Sequence, residues 1–298
     1  MRTIQALVTL FLVSMLVFWL ARLSGDPLDV MMPMEASAED YARARKHLGL
    51  DKPLPVQYAR YISQAVTGDL GTSIRAKIPV SQMILERLPN SLRLAAFSIT
   101  IALLLALLLG MAAAVKKGSI VDTVSRFIAV AGMSIPIFWL AIMAILLFSV
   151  HLKLLPSSRA GGFKHYILPA VVLGWSFSAP MMRMLRSSML EVLDSEYVKL
   201  ARIKGVKERW IIWWHAFRNA LIPVITFAGF YLGLLVGGVV VTETVFAWPG
   251  IGLLAYEAVL WKDYPLIQGV VLFITSAVLT INLCVDVLYA YIDPRIRY

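Results

Sequence analysis

The feature that most constrains the fold is a set of six long stretches without a charged residue. They occupy residues 4–21, 94–115, 127–150, 166–182, 220–242 and 264–285. A helix needs roughly 20 apolar residues to cross about 30 Å of hydrocarbon. Each crossing segment must be helical, because lipid offers the backbone no hydrogen-bond partners. The sequence therefore predicts an all-α polytopic membrane protein with six transmembrane helices.

Composition and charge agree with this fold class. The chain is 59% hydrophobic and 15% charged, whereas a soluble domain averages about 45–50% apolar and about 25% charged residues. A water-soluble globular enzyme is therefore excluded. The net charge of +10 would suggest a nucleic-acid partner in a soluble protein. However, half of the 28 basic residues lie at the termini and in the connections of one side, so the charge predicts cytoplasmic termini and no nucleic acid.

Three regions are predicted from these stretches. Residues 1–23 form an N-terminal transmembrane helix, which is retained because no small-x-small cleavage site follows its apolar run. Residues 24–92 form a long extracytoplasmic segment between the first two helices. Residues 93–298 form a five-helix core with a cytoplasmic loop at 190–219 and an external loop at 243–263. The segment 24–92 is either a small cap resting on the helices or a docking surface for an external partner.

The cytoplasmic loop carries the clearest local pattern. The spacing over residues 196–204 predicts a short helix with Tyr197, Leu200, Ala201 and Lys204 on one face, which Gly205 ends. A second, tryptophan-rich helix is predicted over residues 207–219, at the membrane surface. Two interpretations of the first helix stay open. It is either an amphipathic connector among the headgroups or a helix that inserts into the groove of a soluble partner.

Further candidate residues lie at helix ends and at breaks within the spans. Asn90 or Ser91 is predicted to cap the second span, and Pro223 to occupy the first turn of the fifth. Glu243 either caps its turn or faces a pathway opening. The candidates for an external gate or receptor-docking site are Asp69, Glu243, Phe246, Pro249 and Gly250. The candidates for the substrate path, each equally able to serve helix packing, are Ser134, Pro136, Trp175, Ser178, Thr226 and Tyr231.

The sequence lacks the residues that several other function classes require. One cysteine and four widely separated histidines predict no metal site. Asp286 is the one acid well inside a span, and we interpret it as an interhelical hydrogen-bonding group or a partner for a cytoplasmic arginine rather than as a catalytic acid. An intramembrane enzyme is therefore disfavoured. A secondary transporter is also less favoured, because no internal repeat or set of buried ionisable groups is evident.

The cytoplasmic loop resembles a known motif. Residues 196–205, continuing to Arg218-Asn219-Ala220-Leu221-Ile222-Pro223, are similar to the "EAA" loop of ABC-importer permeases, in the version of the peptide and nickel permease family. The loop reads Glu-Tyr-Val-Lys-Leu-Ala rather than Glu-Ala-Ala, and an aromatic residue is common there in the peptide branch. Six further segments resemble the same family, namely residues 68–73, 88–92, 134–138, 243–252, 263–265 and 293–298. The long segment after the first span resembles that of the B-type, or first, permease subunit.

The resemblance implies a type I ABC importer (MetI-like) permease fold in a bacterial or archaeal cytoplasmic (inner) membrane. It implies a second homologous permease subunit, two cytosolic ATPase subunits and an extracytoplasmic substrate-binding protein as partners. The chain lacks a Gly-x-x-x-x-Gly-Lys-[Ser/Thr] loop, so ATP and Mg are expected on the ATPase subunits and no cofactor on this chain. The residues expected to couple the permease to the ATPase are Glu196, Tyr197, Leu200, Ala201, Lys204 and Gly205. Short peptides are the expected substrate, with nickel or another metal chelate, glutathione or another small solute as alternatives.

Overall fold

The computed structural model of the protein describes residues 2–23, 28, 32, 37–47 and 49–292. Within these residues the secondary structure is helical, apart from one isolated bridge between Thr72 and Pro79. The helices are α1 (Arg2–Leu23), α2 (Ala38–His47), α3 (Leu54–Val66), α4 (Val80–Val115), α5 (Ile120–Ser134), α6 (Ile137–Ala144), α7 (Lys164–Leu193), α8 (Glu196–Ile203), α9 (Glu208–Trp210), α10 (Arg218–Val236), α11 (Val240–Val245), α12 (Ile251–Leu260) and α13 (Tyr264–Ile292). The all-α prediction is confirmed.

Five helical runs in the described residues are long and apolar enough to cross a membrane, and a bent pair provides a sixth. The pair is α5 followed by α6 with its π-helical continuation Ile145–His151, and the two halves are bent by 104°. The predicted span over residues 127–150 is therefore present as a broken span, with its break at the predicted candidates Ser134 and Pro136. The break has a local cause, because Ile135 precedes Pro136 and adopts an extended conformation that a helix does not allow.

The second span begins earlier than the sequence analysis predicts. Helix α4 starts at Val80 and runs through Pro89, Asn90 and Ser91. The prediction that Asn90 or Ser91 caps the helix is therefore wrong, and the boundary drawn at residues 92 and 93 lies inside a helix. The first turns of α4 are helical because their apolar face is buried: Val80 and Ile84 belong to a cluster with side chains from α12 and α13.

The fifth span is a continuous helical run. Helix α9 passes through the π-helical turns Ile211–Phe217 directly into α10, so the predicted tryptophan-rich helix is present but joins the span without a break. Pro223 lies inside this helical run, and the prediction that it occupies the first turn of a span is wrong. The run ends at Val236, before Gly237 and Gly238. Gly238 has φ +91°, a conformation that glycine adopts without strain.

Helices α4 and α7 form the centre of the bundle, and small residues allow them to approach closely. A Cβ atom on Gly110 would lie 3.0 Å from the carbonyl oxygen of Met182. A Cβ atom on Gly174 would lie 2.6 Å from the side chain of Ile101. Close packing of this kind holds helices together in lipid, because the hydrophobic effect does not drive helices toward one another there.

Ion pairs connect several helices, and two of them involve charged residues near the ends of long helices. Arg186 of α7 donates to both carboxylate oxygens of the buried Asp122 in α5, at 2.7 and 2.9 Å. Arg2 of α1 pairs with Asp286 of α13. The interpretation of Asp286 as a partner for an arginine is confirmed by this contact.

Candidate functional site

Helix α8 and the turn that follows it form the first candidate site. The turn is a Schellman motif, because the amide of Gly205 donates to the carbonyl of Arg202 at 3.0 Å and that of Val206 donates to the carbonyl of Ala201 at 3.1 Å. Gly205 has φ +77° and therefore supplies the left-handed residue that this motif requires. The predicted end of the helix at this glycine is confirmed. Ser195 occupies the N-cap position, but its hydroxyl donates to the carbonyl of Val192 instead of capping the helix.

One side of α8 is open, and we name it the α8 apolar edge. It consists of Tyr197, Leu200 and Ile203, whose exposed fractions are 45%, 55% and 80%. Val198 points the other way and is fully buried. Sequence analysis included Tyr197 and Leu200 in the coupling face but missed Ile203, although Ile203 follows Leu200 by three residues and so continues the same edge.

Polar contacts fix the position of α8 relative to the rest of the chain. Arg202 donates to both carboxylate oxygens of Glu208, at 2.8 and 3.2 Å, across the Gly205 turn. Asn219 at the start of α10 donates to the hydroxyl oxygen of Tyr197 at 3.0 Å. The remaining predicted coupling residues, Glu196, Ala201 and Lys204, lie on the helix and its C-terminal turn, with Ala201 half-buried and the other two exposed. The structure therefore brings the predicted coupling residues together on one short helix.

The second candidate site surrounds Glu243 in α11. Its carboxylate is buried, accepts a hydrogen bond from the Ser91 hydroxyl at 2.9 Å and accepts a second from the amide of Leu253 at 3.0 Å. The Ser91 hydroxyl oxygen also accepts from the amide of Ile251 at 2.8 Å. Burial raises the pKa of Glu243 above its ordinary value, and the hydrogen bonds only partly oppose this. Glu243 thus caps the first turn of α12, which was one of its two predicted roles.

The same network continues into the next residues of the loop. The indole N–H of the buried Trp248 donates to the carbonyl of Asn90 at 3.2 Å, and the Asn90 amide group donates to the carbonyl of Pro249 at 3.0 Å. The local sequence does not indicate Asn90 and Ser91 as partners of this loop. The contact spans about 150 residues of sequence, and no local pattern signals it.

The five candidates for the external gate or docking site are in different environments. Glu243, Phe246 and Gly250 are buried within this chain, and Pro249 is half-buried. Asp69 is exposed, and its Oδ1 atom accepts from the amide of Gly71 at 2.9 Å. Among the five, only Asp69 presents an exposed side chain for direct contact with a partner.

The six candidates for the substrate path do not form one lining. Ser134 and Pro136 are exposed at the bend between α5 and α6. The hydroxyl groups of Ser178 and Thr226 donate to carbonyls of their own helices, at 2.8 and 3.2 Å. Both contacts are typical of helix packing in lipid.

The two aromatic path candidates lie in different places. Trp175 donates from its indole nitrogen to the carbonyl of Ile128 in α5 at 3.3 Å. The ring of Tyr231 in α10 lies 4.8 Å from that of Phe177 in α7, measured between ring centroids. Phe177 was not predicted as part of the path. In the part of the chain that the structure describes, no group of three or more His, Cys, Asp or Glu side chains could hold a metal ion.

Comparisons with known proteins agree with this architecture. A family model described as "Binding-protein-dependent transport system inner membrane component" matches residues 106–298, and a model for the N-terminal part of such components matches residues 1–95. The chain is 43% identical over 298 residues to the glutathione transport system permease protein GsiC of Salmonella paratyphi A and to that of Escherichia coli K12. Each alignment covers 100% of this chain and 97% of the relative.

Two solved structures share the fold. An inward-facing conformation of the MetNI methionine ABC transporter aligns with a TM-score of 0.60 and 18% identity, over 71% of this chain and 97% of that chain. A crystal structure of an amino acid ABC transporter with histidines aligns with a TM-score of 0.53 and 12% identity, over 72% of this chain and 95% of that chain. The MetI-like permease fold is therefore present in this chain.

Proposed function

Because this chain belongs to the family of binding-protein-dependent transport system inner membrane components, as an ABC-importer permease of the dipeptide/oligopeptide family, we propose that α8 is the helix through which a cytosolic ATPase moves it. The observation that carries the proposal is the α8 apolar edge. Leu200, Ile203 and the ring of Tyr197 are exposed on a helix that is anchored by the buried Val198, by the Tyr197 hydroxyl and by Arg202. An anchored helix with an open apolar edge is suited to insertion into a groove.

The anchoring explains how force on α8 reaches the membrane helices. Val198 is buried against the bundle, while Asn219 and the Arg202–Glu208 pair connect α8 to the run that becomes α10. A displacement of α8 is therefore transmitted to α7 at one end and to α10 at the other. A flexible connector without these contacts would absorb the displacement instead.

The test is Leu200→Asp in the complete complex of permeases, ATPases and substrate-binding protein in proteoliposomes. A carboxylate buried without a partner in the ATPase groove costs at least about 1–3 kcal/mol. We expect uptake and substrate-stimulated ATP hydrolysis to fall tenfold or more, with insertion of the permease unchanged. The matched control is Leu154→Asp, which changes a 63% exposed leucine between α6 and α7. Normal transport by Leu200→Asp would contradict the proposal and favour a connector among lipid headgroups.

We also propose the assembly and the orientation. The chain would pair with a second homologous permease, bind two ATPase subunits that carry ATP and Mg, and receive substrate from an extracytoplasmic binding protein.

Both termini would be cytoplasmic, which is supported by the basic residues around α8 and at the α4–α5 connection. Alkaline phosphatase fused after Val115 should then be inactive, and after Val150 active. The reverse result would overturn the orientation.

For the substrate, we propose short peptides, with glutathione as the second candidate. The specific observation that favours the second is the 43% identity to permeases named for glutathione transport. Glutathione is itself a tripeptide, so the two candidates belong to one chemical class. Uptake of labelled glutathione, competed with unlabelled di- and tripeptides, would separate them. Transport of a nickel chelate and of neither peptide would overturn this assignment.

A further inference from the structure

A cavity of about 450 Å³ lies away from both candidate sites. Its walls come from the end of α1, from α3, from the loop of residues 69–77 and from the start of α13. Helix α1 is an apolar span that ends at Leu23, and α13 is an apolar span that begins at Tyr264. The cavity therefore lies at the level where these two spans leave the hydrocarbon, which is the level of lipid headgroups.

The lining of the cavity is basic. Four cationic side chains line it, those of Arg22, Lys52, Arg60 and Lys77, and in the described part of the chain the last three form no ion pair. The guanidinium group of Arg60 lies beside Gly49, where a Cβ atom would be 3.2 Å from its Nη1 atom. Asp69 also lines the cavity, and its Oδ1 atom accepts from the amide of Gly71. The cavity thus has an excess of positive charge, which favours an anion.

Two further lining residues carry buried polar atoms that lack a hydrogen-bond partner among the described residues. These atoms are the Oε1 atom of Gln57 and the hydroxyl oxygen of Tyr61. The amide nitrogen of Gln57 donates to the carbonyls of Leu50 and Lys52, at 3.3 and 2.8 Å, which fixes Oε1 as the free acceptor. Burial raises the pKa of Tyr61 to about 12, so its hydroxyl keeps its proton and can donate.

One of these two atoms can donate a hydrogen bond to a ligand, and the other can accept one. Buried polar groups in proteins are almost always hydrogen-bonded. Tyr61 can donate to an anionic oxygen, and Gln57 can accept from a hydroxyl group of the same ligand. A phosphate ester that also carries a free hydroxyl meets both demands, and the three cations meet its charge.

We propose that this cavity binds the glycerophosphate headgroup of an anionic phospholipid of the surrounding membrane. Lys52, Arg60 and Lys77 neutralise the phosphodiester, and Tyr61 donates to it. A headgroup hydroxyl donates to Gln57. The lipid source is favoured over a soluble phosphate ester because the cavity adjoins α1, whose Trp19, Leu20 and Leu23 are exposed and offer an apolar surface to the acyl chains.

The experiment measures lipid retention by the full chain, purified into detergent after incubation with defined lipids and analysed by native mass spectrometry. We expect phosphatidylglycerol to be retained at least tenfold more than phosphatidylcholine. The double variant Arg60→Gln/Lys77→Gln should abolish this preference. The matched control is Arg43→Gln, which removes a cation of α2 that lies outside the cavity lining. Equal retention of the two lipids by the wild type would overturn the proposal.

Two further arms identify the headgroup and its source. Gln57→Leu should reduce the preference for phosphatidylglycerol over phosphatidic acid, which lacks the headgroup hydroxyl, without removing the preference for anionic over zwitterionic lipid. An unchanged preference would overturn the role of Gln57. Soluble glycerol phosphate at millimolar concentration should not displace the lipid. Displacement would assign the cavity to a soluble phosphate ester instead of a lipid.

Discussion

Two segments on either side of the helical run 208–236 differ in how they use their side chains. The first, residues 196–205, consists of α8 and its C-terminal turn, leaves an apolar edge exposed and contacts the following helix through a surface ion pair. The turn at residues 243–252 buries its acid and its largest aromatic side chain and satisfies them within the chain. Both segments resemble the permease family in sequence, so sequence similarity alone does not separate them.

The difference indicates two kinds of role. A buried carboxylate with two donors holds α4, α11 and α12 in one arrangement, and neither it nor Ser91 is exposed to another molecule. An exposed apolar edge gains free energy only when something covers it. We therefore expect substitutions on the α8 apolar edge to change transport at nearly constant stability, and substitutions in the Glu243 network to change stability first.

The largest effect is expected for Gly250→Ala. The added Cβ atom would meet the Glu243 carboxylate and would lie 2.5 Å from the Ser91 hydroxyl. The network must then separate, which combines overpacking with the loss of buried hydrogen bonds. We expect the free energy of unfolding to fall by about 2–4 kcal/mol, seen as a lower midpoint of thermal unfolding in detergent. Gly162→Ala is the control, since its Cβ would meet nothing within 4 Å. Equal midpoints for the two variants would refute the close packing at Gly250.

The next effect is expected for Gly205→Val. Its Cβ atom would meet nothing within 4 Å, so the cost arises from the left-handed backbone, roughly 1–2 kcal/mol. The strain is relieved by opening the Schellman turn, which moves the α8 apolar edge. We expect uptake by the complete transporter to fall about tenfold.

The matched control for this variant is Gly118→Val. Gly118 has the same φ of +77° and the same open space, but it lies between α4 and α5. The two variants should therefore lose similar stability, while only Gly205→Val should lose the stimulation of ATP hydrolysis by loaded binding protein. A similar loss of transport in both would show that backbone strain, and not the position of α8, is responsible.

The smallest effect concerns pH. Burial raises the pKa of Glu243 in the folded protein above its ordinary value of 4.5. The protonated form is therefore favoured by folding, and this contribution to stability is complete at low pH and is lost as the pH rises through the raised pKa. We expect the unfolding midpoint of the wild type, minus that of Glu243→Gln, to decrease as the pH is raised from 4 to 8. A difference that increases with pH would show that the hydrogen bonds, rather than burial, dominate.

Much of the fold follows from local sequence. The apolar stretches identify the spans, and Gly205 identifies the end of α8 because a left-handed turn favours glycine. The break in the third span has an equally local cause at Pro136, but the apolar stretch continues across this residue without a charge. The length of an apolar stretch shows that it can cross the membrane, whereas a bend in the helix depends on single residues such as Pro136.

The errors at Ser91 and Pro223 have a different origin. Ser91 lies two residues after Pro89 and has the side chain of a helix cap, but it lies in mid-helix because α4 is extended by packing of its first turns. Pro223 lies in the interior of a helix because α9 and α10 join through π-helical turns. At Ser91 tertiary packing outweighs a capping preference of about 1 kcal/mol. At Pro223 the continuous helical run outweighs the preference of proline for a helix start.

The sequence by itself determined the all-α class, the approximate positions of the spans and the short helix that Gly205 ends, because periodicity, charge and turn chemistry act between near neighbours. Its motifs indicated the family by resemblance. Only the tertiary structure decided that Glu243 is a buried cap shared with Ser91, and that Gln57, Tyr61 and four cations line one cavity. These arrangements join residues far apart in the chain. Their free energy arises from contacts that exist only after the helices have packed, so no local pattern encodes them.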